Sequence, residues 1–337
     1  MGHGGPIGLI ANPASGKDIR RVVSAASVFD NQEKRNIVRR AILGALAAGV
    51  DEFFYMPDTH QIVASAFEGL GGRAGSLPVA SPELGSALDT TRSAQRLQEC
   101  GCAAVITLGG DGTNRAAALG WRDMPLVALS TGTNNVFPQM IEGTLAGAAA
   151  GLVASGQIEL SQAARQVKTL SVQVDGEPGD LALIDVALLN EAFTGAKAIW
   201  DPLRLRAVVL ARAEPAAVGL SALGGLLHPV PDEADGGLLV ITAPGAGAVS
   251  APIAPGLFAS VPVSSYRPIA AGEAVVLEGS GVLAFDGERE RRLRSGQPAT
   301  IRVRRDGPWV IDIRKALTLA ACRGLYREGR IEETNGD

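Results

Sequence analysis

Asp111 stands among glycines in the run Gly109-Gly110-Asp111-Gly112-Thr113-Asn114. A carboxylate there can take a proton from a hydroxyl or hold the water of a metal ion. Glycines let another molecule approach the main chain closely and permit backbone angles closed to other residues. Phosphoryl transfer asks for that pairing: amides for phosphate and an acid for the attacking hydroxyl. Read alone, Gly-Asp-Gly is also an ordinary tight turn. The flanks favour the sharper reading. Ala103 to Leu108 is apolar and β-branched, as a buried strand should be, and Ala116-Ala117-Ala118-Leu119 favours helix. Thr113 or Asn114 is the expected N-cap, and a helix start offers N–H groups to phosphate.

Two further turns have the same setting. Ile7 to Ile10 reads as a strand running into Asn12-Pro13-Ala14-Ser15-Gly16-Lys17, and Leu126 to Leu129 as a strand running into Ser130-Thr131-Gly132-Thr133-Asn134-Asn135. The first is no Walker A loop, because its spacing is too long and Asp18 replaces Ser/Thr. Asn12, Ser15 and Lys17 are candidates to touch a nucleotide; a plain strand-to-helix loop is the alternative.

The elements that must position these turns alternate. Helices are expected over Asn31 to Ala48, His60 to Leu70 and Leu88 to Gly101, with strands at Phe53 to Met56 and Leu77 to Ala80. In the first helix Ile37, Val38, Ala41, Ile42, Ala45 and Leu46 share a face, and Lys34, Arg35, Arg39 and Arg40 read as the solvated side. Alternation implies a parallel sheet with ligands outside the strands' carboxyl ends, so the three turns should gather at one edge. From Thr169 onward short alternating runs separated by Gly and Pro read as a mostly antiparallel β domain ending near Ile313. Ala213 to Gly225 reads as helix or connecting loop, and Lys315 to Tyr326 as a last helix packing back on the first domain. The fold class is an α/β N-terminal domain with a parallel, Rossmann-like sheet, then a mostly antiparallel β domain. The expected units are 1–155, 156–314 and 315–337.

Composition narrows the function. The 337 residues are 46% apolar and carry a net charge of −4, which supports a sizeable core and argues against a nucleic-acid binder. No run is apolar enough to span a bilayer, and the start lacks the basic and apolar regions of a signal peptide. The three cysteines and three histidines have no metal-site spacing. A cytoplasmic protein handling small nucleotides, with no membrane or nucleic-acid partner, is expected.

The Gly109-Gly110-Asp111-Gly112-Thr113 block, followed by Thr131-Gly132-Thr133-Asn134, resembles the superfamily of NAD kinases and diacylglycerol-type lipid kinases. Asn12-Pro13-Ala14-Ser15-Gly16 is similar to its Asn-Pro-x-Ser-Gly start, Asn190-Glu191 to the ribose-holding pair of NAD kinases, and Asp286-Gly287-Glu288 to the late Asp-Gly-Glu of the β domain. The order and spacing run along nearly the whole chain. The branch it looks most like is the predicted ATP-NAD kinases of the AcoX type. Two departures are visible: the stretch nearest to the Gly-Ser-Thr-Ala-Tyr turn of NAD kinases, Thr242 to Ala248, lacks its Ser-Thr hydroxyl pair and its Tyr side chain, and the Asn134-Asn135 pair differs from either major branch.

The resemblance implies a kinase that uses ATP, or another polyphosphate donor, and Mg²⁺ to phosphorylate the adenosine-ribose hydroxyl of NAD. Asp111 would be the base, and Gly109, Gly110, Gly112 and Thr113 would cradle phosphates beside Asn12, Ser15, Lys17, Thr131, Gly132 and Thr133. Asn134 and Glu191 would hold ribose hydroxyls with Asn190 in support. Mg²⁺ would ride on the phosphates, reached by Asp111 or Glu288 only through water. A homo-oligomer, dimer or tetramer, is the matching expectation. The rival readings are a kinase for a lipid or another metabolite hydroxyl, with Glu288 sharing the base role, and a nucleotide sensor without turnover. The arginines from Arg289 to Arg305 read as a solvated hairpin or a polyphosphate grip.

Overall fold

The computed structural model describes residues 4–16, 30–81, 83–132, 134–190 and 202–327. Five parallel strands form the first sheet: β1 (Ile7–Ala11), β2 (Glu52–Tyr55), β3 (Gly75–Pro78), β4 (Ala104–Gly109) and β5 (Pro125–Ser130). Their order is β3-β2-β1-β4-β5, so the chain leaves β1 to one side and returns to its other side at β4. That reversal opens a crevice beyond the carboxyl ends of β1 and β4. Side chains alternate across the sheet, as in any strand. Ile7, Leu9 and Ala11 of β1 enter one core and Ile10 the opposite one.

The first core is closed by the helices Asn31–Ala47, Gly143–Ala154 and Ile313–Cys322, and the second by Ala87–Glu99 and Asp111–Gly120. Each fully buried Ile or Leu contributes about 1.5–3 kcal/mol. Abundant Ala and Gly let two of these helices touch backbone to backbone. A Cβ on Gly147 would sit 1.8 Å from the Ala41 carbonyl oxygen, and one on Gly44 would sit 2.0 Å from that of Thr144.

Two strands from the stretch assigned by sequence to the β domain complete this sheet. Trp309–Ile311 lies parallel beside β5, and β6 (Ala164–Gln166) lies antiparallel beyond it. Both are three-residue strands, too short for their sequence pattern to declare a sheet. The helix Ile313–Cys322 then buries Ile313, Ala316 and Ala320 against the first domain.

The intervening chain is a β sandwich. Its strands are β7 (Thr169–Val174), β8 (Asp180–Ala182), β9 (Asp185–Leu189), β10 (Leu205–Leu210), β11 (Gly237–Ile241), β12 (Ala248–Ala254), β13 (Leu257–Pro262), β14 (Ser265–Ile269), β15 (Val275–Leu277), β16 (Gly281–Phe285), β17 (Glu288–Leu293) and β18 (Ala299–Arg304). A six-stranded sheet, β14-β11-β10-β9-β16-β17, packs against a four-stranded one, β15-β18-β7-β8, and both are antiparallel. The outer face of the larger sheet is covered by the helix Leu220–Leu227 and the β12–β13 hairpin.

Other differences from the sequence reading have local causes. The run Leu181 to Asn190 is two strands, because the amides of Leu183, Ile184 and Asp185 turn to the Asp286 carboxylate. The helix expected from His60 to Leu70 covers only Ile62–Ala66; Gln61 is left-handed, and Asp58 accepts from the amides of His60 and Ile62. The helix after β4 starts two or three residues before the anticipated caps. Gly110 is its N-cap and Asp111 its first residue.

Candidate active site

β1, β4 and β5 are neighbours, so their following turns share one edge, and side-chain contacts lock them together. The Asn12 amide donates to the Thr113 hydroxyl at 2.9 Å, and the Thr131 hydroxyl donates to that of Ser15 at 3.0 Å. The three polar turns therefore meet as the alternation required. Buried Asn114 braces the glycine turn from behind: it accepts from Thr107 at 2.7 Å and donates to the Gly110 carbonyl at 2.9 Å.

The three glycines are needed for close approach. None of Gly109, Gly110 and Gly112 has a positive φ, so the freedom of angle anticipated for them is not used. A Cβ on Gly109 would lie 2.5 Å from Thr113, one on Gly110 2.9 Å from Asn135 Oδ1, and one on Gly112 2.8 Å from Glu288 Oε1. Glu288 reaches the turn from the second domain, so the glycines are also where the two domains touch.

Asp111 opens its helix, where the macrodipole favours a negative charge. Its carboxylate accepts from the Phe137 amide at 2.8 Å and from the Val136 amide at 3.1 Å. Burial pushes its pKa up to about 7; nearby Asp286 adds to the rise, while the two amides and Arg212 oppose it. It keeps a partly exposed edge. The result is a carboxylate held by main-chain donors and shared between protonation states near neutrality.

Asp286 has the opposite character. It closes a two-residue turn with Gly287, at φ 48° and 80°, as Asp-Gly hairpins do. Its carboxylate receives the amides of Leu183, Ile184 and Asp185 at 2.8 to 3.1 Å. Burial raises its pKa against those amides and Arg115. Asp286 builds the loop rather than facing a ligand.

Three basic residues that the sequence reading passed over organise the site. Lys34, expected in solvent, is fully buried, and its ammonium donates to the carbonyls of Asn12, Pro13 and Ser15 and to Asn31 Oδ1. The signal was present: Lys34 lies three, four and seven residues before Ile37, Val38 and Ala41, on their face. Arg115, one turn after Asp111, reaches the second domain. It donates to the Leu181 carbonyl at 2.6 Å and to Asp180 at 2.8 Å, and stacks on the Phe285 ring. Arg212 lies over the Phe137 ring and pairs with Asp232 at 3.1 Å, which also binds Arg165.

The remaining candidates divide. Asn134 sits on the Thr131 turn, and its Oδ1 is buried with no hydrogen-bond partner among the described residues. Gly132 is bonded to Ser130 within that turn. Asn190 is exposed at the end of β9. Lys17, Thr133 and Glu191 lie outside the described residues. Of the arginines weighed as a polyphosphate grip, Arg291 pairs with Asp180 and Glu177, and Arg305 holds the carbonyls of Asp232 to Ala234. Among the described residues, no three His, Cys, Asp or Glu side chains gather as a metal site.

The likeness to known proteins follows the two domains. The family described as ATP-NAD kinase N-terminal domain matches residues 7–158, and the one described as acetoin catabolism protein X C-terminal domain matches residues 168–306. Acetoin catabolism protein X of Cupriavidus necator is 38% identical over 336 residues, covering 95% of this chain and 94% of that protein. The chain belongs to the acetoin catabolism protein X family. Its kinase-type first domain makes this AcoX-family chain a phosphotransferase with an alcohol acceptor. Among solved structures, yeast NADH kinase complexed with NADH superposes with a TM-score of 0.52 at 13% identity, covering 99% of this chain and 91% of that one. A putative diacylglycerol kinase from Bacillus anthracis gives 0.50 at 14%, covering 92% and 98%. Those two likenesses establish a shared fold. The AcoX C-terminal match falls between β6 and Trp309–Ile311, so in this chain the β sandwich is held between two strands of the first sheet.

Proposed function

We propose that this AcoX-family chain transfers the terminal phosphoryl group of ATP to a hydroxyl of a small nucleotide, the adenosine ribose of NAD, giving NADP. The single observation that carries the reading is Asp111: a carboxylate on a helix start, fixed by the Val136 and Phe137 amides, with its pKa raised to about 7. A base poised near working pH contributes roughly 10²–10⁴-fold.

In this reading the acceptor hydroxyl lies against Asp111, which takes its proton as the oxygen bonds to phosphorus. The bond from phosphorus to the bridging oxygen breaks, and ADP leaves with that electron pair. Amides of the glycine turn and the Gly16 amide of the first turn face the phosphates and the developing charge. The buried, unbonded Asn134 Oδ1 is an acceptor suited to a ribose O–H, which supports its proposed role. Mg²⁺ would supply positive charge to offset that of the phosphates. Asp111 and Glu288 are hard oxygen donors able to hold its waters. Asn190 and Glu191 remain proposed partners of the ribose. We further propose a cytoplasmic homo-oligomer; the free cysteines Cys100, Cys102 and Cys322 agree with a reducing compartment. Among the described residues no helix is long and apolar enough to cross a membrane.

A second reading has its own support. The Thr242 hydroxyl is bonded to the Leu205 carbonyl, and the turn from Ala243 to Gly247 carries no polar side chain. A different acceptor hydroxyl, on a lipid or another metabolite, suits that bare turn. An acceptor panel with purified protein, ATP and Mg²⁺ separates the two. Phosphorylated NAD supports the first reading; an inert NAD beside a reacting lipid or sugar overturns it.

A further inference from the structure

Lys34 is the most completely buried cation on the donor side of the site, and its ammonium meets three main-chain carbonyls and the Asn31 amide oxygen. Removing an ammonium from water is costly, and carbonyl acceptors offset that cost only when they are well placed. A helix start is also an unfavourable place for a positive charge. A methionine or leucine would fill that position on the apolar face of Asn31–Ala47 at less cost. What the ammonium does there is visible in the turn it holds.

Lys34 Nζ meets the Asn12 carbonyl at 3.0 Å, the Pro13 carbonyl at 3.0 Å and the Ser15 carbonyl at 2.6 Å. In a trans peptide the N–H points away from the C=O. Drawing the Ser15 carbonyl inward therefore turns the Gly16 N–H outward, on a residue with φ 75°, and that N–H has no partner among the described residues. The Pro13 peptide is turned likewise, and the Ala14 N–H is met by Asn12 Oδ1 at 2.9 Å. The same turn is tied to the glycine block through Asn12 and Thr113, and to the β5 turn through Ser15 and Thr131. The buried ammonium thus sets the direction of the Gly16 amide at the crevice between β1 and β4.

We propose that Lys34 is a positioning residue for the phosphoryl donor: by holding three carbonyls of the Asn12–Gly16 turn inward, it presents the other side of that turn to the donor's phosphate chain. This rests on the donor reading above. Lys34 touches no phosphate itself.

The test compares wild type with Lys34→Met for binding of ATP and inorganic tripolyphosphate by calorimetry, and for KM and kcat in the acceptor assay. The expected result is a Kd for both anions at least tenfold weaker and a matching rise in KM for ATP, with KM for the acceptor unchanged. Lys34→Met that folds and binds tripolyphosphate within twofold of wild type overturns the proposal. Asn31→Ala covers a Lys34→Met that does not fold, since it removes one acceptor and leaves the ammonium. A two- to fivefold weaker Kd for tripolyphosphate supports the proposal, and an unchanged Kd overturns it. Wild-type protein that binds neither anion overturns the donor reading, and Lys34's role with it; that failure is distinct because it needs no variant.

Discussion

Arg115 donates to Asp180 at 2.8 Å across the domain junction, one helical turn from Asp111. The pair is nearly buried, and the guanidinium also holds the Leu181 carbonyl and lies over Phe285. The helix that carries the proposed base is thereby fixed to the sandwich. Breaking a buried pair from one side costs about 3–5 kcal/mol. Asp180 keeps Arg291 at 3.0 Å, which places Arg115→Ala at the low end, about 3 kcal/mol. Denaturant unfolding of wild type and variant measures it; a loss under about 1 kcal/mol would make the pair ornamental.

Helix contact in the first domain depends on a missing side chain. At Gly147 a Cβ would lie 1.8 Å from the Ala41 carbonyl oxygen, with no flexible neighbour to yield. Gly147→Ala raises helix propensity yet must push the facing backbones apart, so the variant loses about 1–3 kcal/mol. Gly72→Ala, at a position with nothing within 4 Å, is the matched control and stays near wild type.

These two sites show what the sequence carried and what it did not. Period and turn chemistry revealed the parallel sheet and the meeting of the three turns, because each is a local pattern. Trp309–Ile311 was misassigned because sheet membership of a three-residue strand is decided by distant partners. The buried role of Lys34 was missed because charge was weighed above position, although its spacing to Ile37, Val38 and Ala41 marked the apolar face. Arg115 and Arg212 act across the domain junction, which no window of sequence contains.

The raised pKa of Asp111 has two consequences of opposite sign. Phosphoryl transfer needs the carboxylate, so the rate climbs with pH, with its midpoint near 7. For stability, the folded pKa lies above the unfolded value of 3.8, so the folded state holds the proton more tightly. Stability from this group is present below pH 4 and is lost as pH rises toward about 7. Asp111→Asn is therefore expected to be more stable than wild type at pH 8, with the gap closing at pH 4. Thermal melts across that range check it.

Asp286 raises the pKa of Asp111 by charge, from a position where it bonds the amides of Leu183, Ile184 and Asp185. Asparagine tolerates its left-handed φ of 48° and keeps an oxygen for the loop. Asp286→Asn should move the acid limb of the rate profile to lower pH, with some loss of stability. A limb that stays in place would mean that the rise at Asp111 comes from burial alone.

The central claim is that Asp111 is the proton acceptor in phosphoryl transfer. The most direct measurement is single-turnover transfer from radiolabelled ATP to NAD, with Mg²⁺ at pH 8, for wild type and Asp111→Asn, alongside ATP binding by calorimetry. The expected rate is lower by roughly 10²–10⁴-fold in the variant, with ATP affinity within a few-fold of wild type. An Asp111→Asn enzyme that transfers phosphate at the wild-type rate would contradict it.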